Sequence, residues 1–184
     1  MPIANSAPVL VTESREDVEL VVSRAASLSG RFVGLNDRER PASRHAPKLV
    51  GLAINRDTQH RYALTFKDDA FFARGLDPGS YMIVAGSYVD WGVLDWILLE
   101  EEQAVADLRI DAAPAAQISV SLRSDHGRVG VLLNEVRILE VPMQGGTGIQ
   151  FVPAGHLEVQ ASFDGASQAQ LIDAVGGQTF ELTF

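Results

Sequence analysis

One phrase occurs twice in this chain, and a repeated phrase constrains folding strongly because both copies must satisfy the same backbone geometry. Phe72-Ala-Arg-Gly-Leu76-Asp-Pro78-Gly79-Ser-Tyr81-Met-Ile83-Val-Ala85 returns, weakened, as Ile149-Gln-Phe151-Val152-Pro153-Ala-Gly155-His-Leu157-Glu-Val159-Gln-Ala161. In each copy an apolar residue runs into a Pro/Gly turn, and an alternating apolar strand follows. A second echo closes each copy: Val105-Ala-Asp-Leu108-Arg-Ile110 against Phe180-Glu-Leu182-Thr-Phe184. The repetition predicts an all-β chain of two tandem, small, antiparallel β-sandwich units. The larger covers residues 1–111, with a leading strand segment at 8–23, and the smaller covers residues 112–184.

Period-two alternation supports that class along the whole chain. Leu49 to Ile54 is a near-continuous apolar run, suited to a buried strand, and Arg61 to Phe66 alternates. Leu76-Asp-Pro78-Gly79 has tight-turn chemistry, with Pro fixing φ and the following Gly tolerating positive φ. Tyr88 to Trp96 is less regular and reads as a bulged connection or a short helical turn. The small-residue, Pro-interrupted span Asp111 to Ala116 is the expected seam between units. A similar bridge, Arg24 to Ser27, suggests that Val9 to Ser23 is an end strand left from a preceding copy. Asn36 to Pro47, polar and holding two prolines, reads as a loop. The apolar positions of Glu16 to Ala26, the nearest helical candidate, include β-branched valines that favour a strand.

The stretch Phe66-Lys-Asp68-Asp69-Ala70-Phe71-Phe72-Ala-Arg-Gly75-Leu76-Asp77-Pro78-Gly79-Ser80-Tyr81 resembles the carboxypeptidase regulatory-like domain, a transthyretin-like (prealbumin-like) β-sandwich. That family runs a turn, an aromatic, Gly-Leu-x-Pro-Gly-x-Tyr and an apolar strand; Leu28-Ser-Gly30-Arg31-Phe32-Val33 resembles its first strand. The Pro-Gly-x-Tyr phrase is shared with immunoglobulin-like families. Ala70 stands where the family usually has Gly, so the turn must avoid positive φ there or rearrange. The resemblance implies a non-catalytic module, of the kind attached to peptidases, adhesins, outer-membrane receptors and large exported bacterial proteins. It implies no functional residues.

Composition bounds the partners. A net charge of −9 with dispersed Lys and Arg argues against nucleic acid or an anionic membrane surface. The densest basic set, Arg38, Arg40, Arg44 and Lys48, falls in the Pro-containing loop and reads as solvated surface. No apolar run approaches the ~20 residues of a membrane span. The absence of cysteine removes disulfides, thiolate zinc sites and cysteine nucleophiles. Met1-Pro-Ile-Ala-Asn-Ser has no signal-peptide character, so the chain is expected to be cytoplasmic or an excerpt of an exported protein without its leader.

Candidate chemistry is sparse. His45, His60, His126 and His156 lack the mutual spacing of a zinc site, and Ser124-Asp125-His126, contiguous in a turn, cannot adopt triad geometry. Glu100-Glu101-Glu102 reads as a charged hairpin end. Asp68, Asp69 and Asp77 could offer oxygens to Ca²⁺, or simply form turns. No metal or cofactor is expected. The candidate ligand-binding set is Tyr88, Asp90, Trp91, Asp95 and Trp96, since aromatic faces beside carboxylates suit a sugar ring or a peptide anchor. The competing reading places one or both tryptophans in the core or in the contact between units. The expected function is therefore a non-enzymatic structural or protein-interaction module, with carbohydrate binding through Trp91 and Trp96 as the alternative.

Overall fold

The computed structural model describes residues 24–34 and 48–184, so the expected segment Val9 to Ser23 and the whole Asn36 to Pro47 loop, including Arg38, Arg40, Arg44 and His45, lie outside the described residues. The described chain is all-β. Its first nine strands are β1 (Ala26–Val33), β2 (Val50–Asn55), β3 (Arg61–Ala63), β4 (Thr65–Lys67), β5 (Ala70–Leu76), β6 (Gly79–Gly86), β7 (Asp90–Leu99), β8 (Ala104–Asp111) and β9 (Ala113–Pro114). They build one sheet in the order β4-β5-β1-β8 and a second in the order β3-β2-β6-β7-β9. The remaining strands are β10 (Ala116–Ser121), β11 (His126–Leu133), β12 (Val136–Gln144), β13 (Thr147–Val152), β14 (Gly155–Phe163), β15 (Ala166–Ala174) and β16 (Thr179–Thr183). These form sheets of order β13-β10-β16 and β12-β11-β14-β15.

The two pairs of sheets follow one plan. β1 lies between antiparallel β5 and parallel β8, as β10 lies between antiparallel β13 and parallel β16. The run β3-β2-β6-β7 has its counterpart in β12-β11-β14-β15. Each sandwich thus adds one parallel pair to its antiparallel ladders. The corners that enter β6 and β14 also share a backbone state, with Gly79 at φ 146° and Gly155 at φ 140°. That region is essentially closed to residues with a Cβ, which is why the repeated phrase keeps glycine at both places. Asp68, at φ 55°, takes the positive φ of the turn before β5, so Ala70 begins the strand without strain.

The first corner is tied down more firmly than the second. Tyr81 Oη donates to the Asp77 carbonyl at 2.7 Å, and Tyr62 Oη donates to Asp77 Oδ2 at 2.6 Å. Burial raises the pKa of both phenols, and for Tyr62 the hydrogen bond to Asp77 adds to it. Asn55 Oδ1 accepts the amides of Asp57 and Thr58 and so folds the turn after β2. Leu157 occupies the place of Tyr81 in the second copy and has no hydroxyl to offer.

The core between the first two sheets is formed by Leu28, Phe32, Phe71 and Ile110 against Ala53, Tyr81, Ile83 and Leu99. Ile54, Met82 and Val84, on the opposite face of the second sheet, are fully buried too, in a cluster with Ile118, Val120, Val131, Val159 and Leu182. β6 therefore sends Tyr81, Ile83 and Ala85 into one core and Met82 and Val84 into the other. At about 1.5–3 kcal/mol for each large side chain removed from water, that second face contributes several kcal/mol to holding the sandwiches together.

The shared glycine geometry generates a prediction. Gly79→Ala and Gly155→Ala should each cost about 1–3 kcal/mol, measured by urea unfolding. Gly79→Ala should cost more, because its Cβ would come within 2.6 Å of Asn55 Nδ2, whereas at Gly155 the nearest atom is 3.5 Å away.

Candidate functional site

β7 carries four of the five candidate residues, and Tyr88 precedes it in the turn. What the sequence leaves irregular is a ten-residue strand with one bulge. Tyr81 pairs with Ile97 and Ile83 with Leu94, so Asp95 and Trp96 together face Met82. Trp96 takes the left-handed conformation at φ 62°, an outlier for a bulky residue and the usual position of glycine in such a bulge.

The bulge re-aims two side chains. Asp95 Oδ1 accepts from Arg56 Nη1 at 2.6 Å, and its Oδ2 accepts from Asn134 Nδ2 at 2.9 Å. Arg56 also donates from Nη2 to the Asn134 carbonyl at 3.4 Å. The guanidinium lies 3.5 Å from the centroid of the Trp96 ring, a cation–π contact. Arg56 belongs to the turn after β2, and Asn134 to the β11–β12 turn, where Asn134 (φ 49°) and Glu135 (φ 66°) form the two-residue type that Asn favours. The Arg56 side chain is only 13% exposed, so its charge depends on Asp95 for compensation.

The opposite end of β7 is built differently. Ser87 Oγ donates to Asp90 Oδ1 at 2.8 Å and accepts the Val89 amide, while the Ser87 amide reaches the Asp90 carbonyl at 2.7 Å. Asp90 is buried and closes a turn. Trp91 packs half-buried against the second core, and its Nε1 has no hydrogen-bond partner among the described residues. Tyr88 meets Phe151 of β13 edge-on, with ring centroids 6.3 Å apart. The linker completes this end: the Ala115 amide donates to Val89 at 2.9 Å, and its carbonyl accepts from Gly177 at 2.8 Å.

The five candidate residues are therefore not one platform. Trp91 and Asp95 face the second sandwich, Tyr88 touches it at Phe151 while staying half-exposed, Asp90 serves a turn, and Trp96 projects at 66% exposure with one ring face covered by Arg56. Roughly 15 Å of strand separates Trp91 from Trp96. Arg56 and Asn134 were not singled out by the sequence. Their partner lies 39 residues away in each direction, and no local pattern marks such a pairing.

The other sequence candidates remain dispersed. Asp77 is engaged by Tyr62, and Asp69 lies 3.9 Å from Arg31. His156 pairs with Asp173 beside an open hollow of about 500 Å³ bordered by Asn134, Glu158 and Leu171. On the outer face of the β12-β11-β14-β15 sheet, the Arg128 guanidinium, helped by Arg137, lowers the pKa of Glu140. No group of three metal-ligating side chains is gathered among the described residues, and no helix there is long and apolar enough to cross a membrane.

The geometry at Asp95 generates a prediction. Asp95→Ala, which strands the Arg56 charge, should cost about 1–3 kcal/mol in urea unfolding. Arg56→Ala combined with Asp95→Ala should cost less than the sum of the two single changes, the signature of a coupled pair.

No family model matches the chain, and no curated protein matches it. Among solved structures it is similar to a DUF3823 family protein from Parabacteroides merdae, at 12% identity and TM-score 0.33, over 83% of this chain and 98% of that one. A DUF3823 family protein from Bacteroides ovatus is similar at 12% identity and TM-score 0.31, over 82% and 97%. A Streptococcal ancillary pilin is similar at 7% identity and TM-score 0.23, over 95% and 68%. Likeness of this degree carries no argument about function, which rests on the chain's own residues.

Proposed function

We propose that this chain is a non-enzymatic structural and protein-interaction module: two tandem copies of a carboxypeptidase regulatory-like sandwich, held in fixed relation, from a modular exported bacterial protein. The observation that carries the reading is the junction. Asp95 and Trp91 are turned toward the neighbouring sandwich, and the half-exposed Tyr88 touches it edge-on at Phe151. A chain that commits its aromatic and acidic side chains to fixing one sandwich against another works by geometry. It holds strand edges and loops at set positions for a protein partner or neighbouring domains.

The reading predicts a rigid pair. The chain has no cysteine, so spin labels at the exposed Ala106→Cys of β8 and Thr147→Cys of β13 report on the two sandwiches alone. Their distance distribution should be narrow, and should broaden when Asp95→Ala and Arg56→Ala are added. A broad distribution in the otherwise unaltered chain would remove the structural reading.

A second reading, carbohydrate binding, is favoured by one observation, the uncovered face of the exposed Trp96 ring. It predicts glycan-array binding that Trp96→Ala abolishes and Trp91→Ala spares, because Trp91 faces the core. An unresponsive array would end it.

A further inference from the structure

Sheet edges attract other strands, and folded chains protect them with charge, proline, bulges, shortness or a covering group. Most described edges here carry such protection. β3 and β4 are three residues long and hold Arg61 and Lys67. β8 holds Asp107, Arg109 and Asp111, with Asp107 at φ 58°. β12 holds Pro142 and lies against β2. β16 is short and holds Glu181. β13 holds Gly148 and is met at Phe151 by Tyr88.

β15 is different. Ala166-Ser-Gln-Ala-Gln-Leu-Ile-Asp-Ala174 is nine residues long, with no proline, lysine or glycine and one charge, Asp173. It pairs with β14 in unbroken register from Phe163↔Ala166 to Gly155↔Ala174, so no bulge bends it away. Leu171 beside this edge is 84% exposed.

We propose that β15 is a strand-addition site whose occupant is β15 of a second copy of this chain. This rests on the reading of the chain as an interaction module, and names the partner of one edge. The two-residue turn Asp164-Gly165 makes Phe163 and Ala166 the hydrogen-bonded pair that closes the hairpin. Alternation from there directs outward the N–H and C=O groups of Ser167, Ala169, Leu171 and Asp173, which have no partner among the described residues.

A symmetric antiparallel pair must place one residue opposite itself. With Gln170 at the axis, the strand pairs over its full length. Ala169 then exchanges backbone bonds with Leu171 of the copy, and Ser167 with its Asp173. The one carboxylate of each strand faces a hydroxyl and no like charge. The exposed Leu171 packs over Ala169 across the pair, and two four-stranded sheets become one of eight strands. Each copy carries −9, so the bodies repel while the edges match, and salt should favour the dimer.

Sedimentation of the whole chain from about 0.02 M to about 0.5 M salt tests this. The expected result is a monomer–dimer equilibrium that shifts toward dimer with salt. Ala169→Pro, which removes an outward N–H without touching the β14 ladder, should leave only monomer. Gln170→Lys and Gln170→Glu both release Gln170 Nε2 from the Thr183 carbonyl; each should be monomeric alone, since like charges meet at the axis, and the two should form a heterodimer when mixed. A chain that stays monomeric in all conditions overturns the proposal, as does a dimer indifferent to Ala169→Pro or a charge-swapped mixture that stays monomeric. A monomer with a narrow label distance would remove the self-pairing alone. A broad label distance would remove the module reading.

Discussion

Burial of one sheet on both faces is the constraint from which the rest of the architecture follows. β6 alternates Tyr81, Ile83 and Ala85 with Met82 and Val84, and both sets are excluded from water. A strand in that position must be apolar at every residue, and Tyr81 to Ala85 meets the requirement. The first sandwich cannot expose its second sheet without uncovering Ile54, Met82 and Val84. The second cannot move off without losing part of its own core.

Apolar contact fixes proximity but not orientation, because it is non-directional. Direction is supplied at the two ends of β7. At one end Asp95, Arg56 and Asn134 form charge-assisted bonds of fixed geometry. At the other, Tyr88 against Phe151 and the two backbone bonds of Ala115 pin the linker. The positive φ of Trp96 sits in the bulge that makes the first of these ends, where backbone strain is tolerated because surrounding contacts outweigh it.

Much of the fold was legible because it depends on local pattern. Alternation marks the strands, and the glycine of each repeated corner marks a backbone that only glycine adopts comfortably. Tyr88 to Trp96 escaped such reading. Its strand carries a bulge, which breaks period two, and its outward residues face another sandwich, so the usual polar partners of an alternating strand are missing. Trp91 and Trp96 look alike in sequence, yet Trp91 sits in the regular part of the strand and packs against a core, while Trp96 sits in the bulge and projects into water. Arg56 illustrates the remaining gap. It sits in an ordinary turn, and its importance comes from a carboxylate brought near by the fold.

The linker through β9 has no slack. Its Ala113 and Pro114 extend the edge of β7, and Ala115 donates to one sandwich while accepting from the other. A segment held this way acts as a gauge whose length sets the register of everything downstream. Adding or removing a single residue there would reverse which side of the tape meets each sandwich. Divergence among chains built on this plan should therefore accumulate as substitutions in the linker, and as insertions only in the hairpin tips.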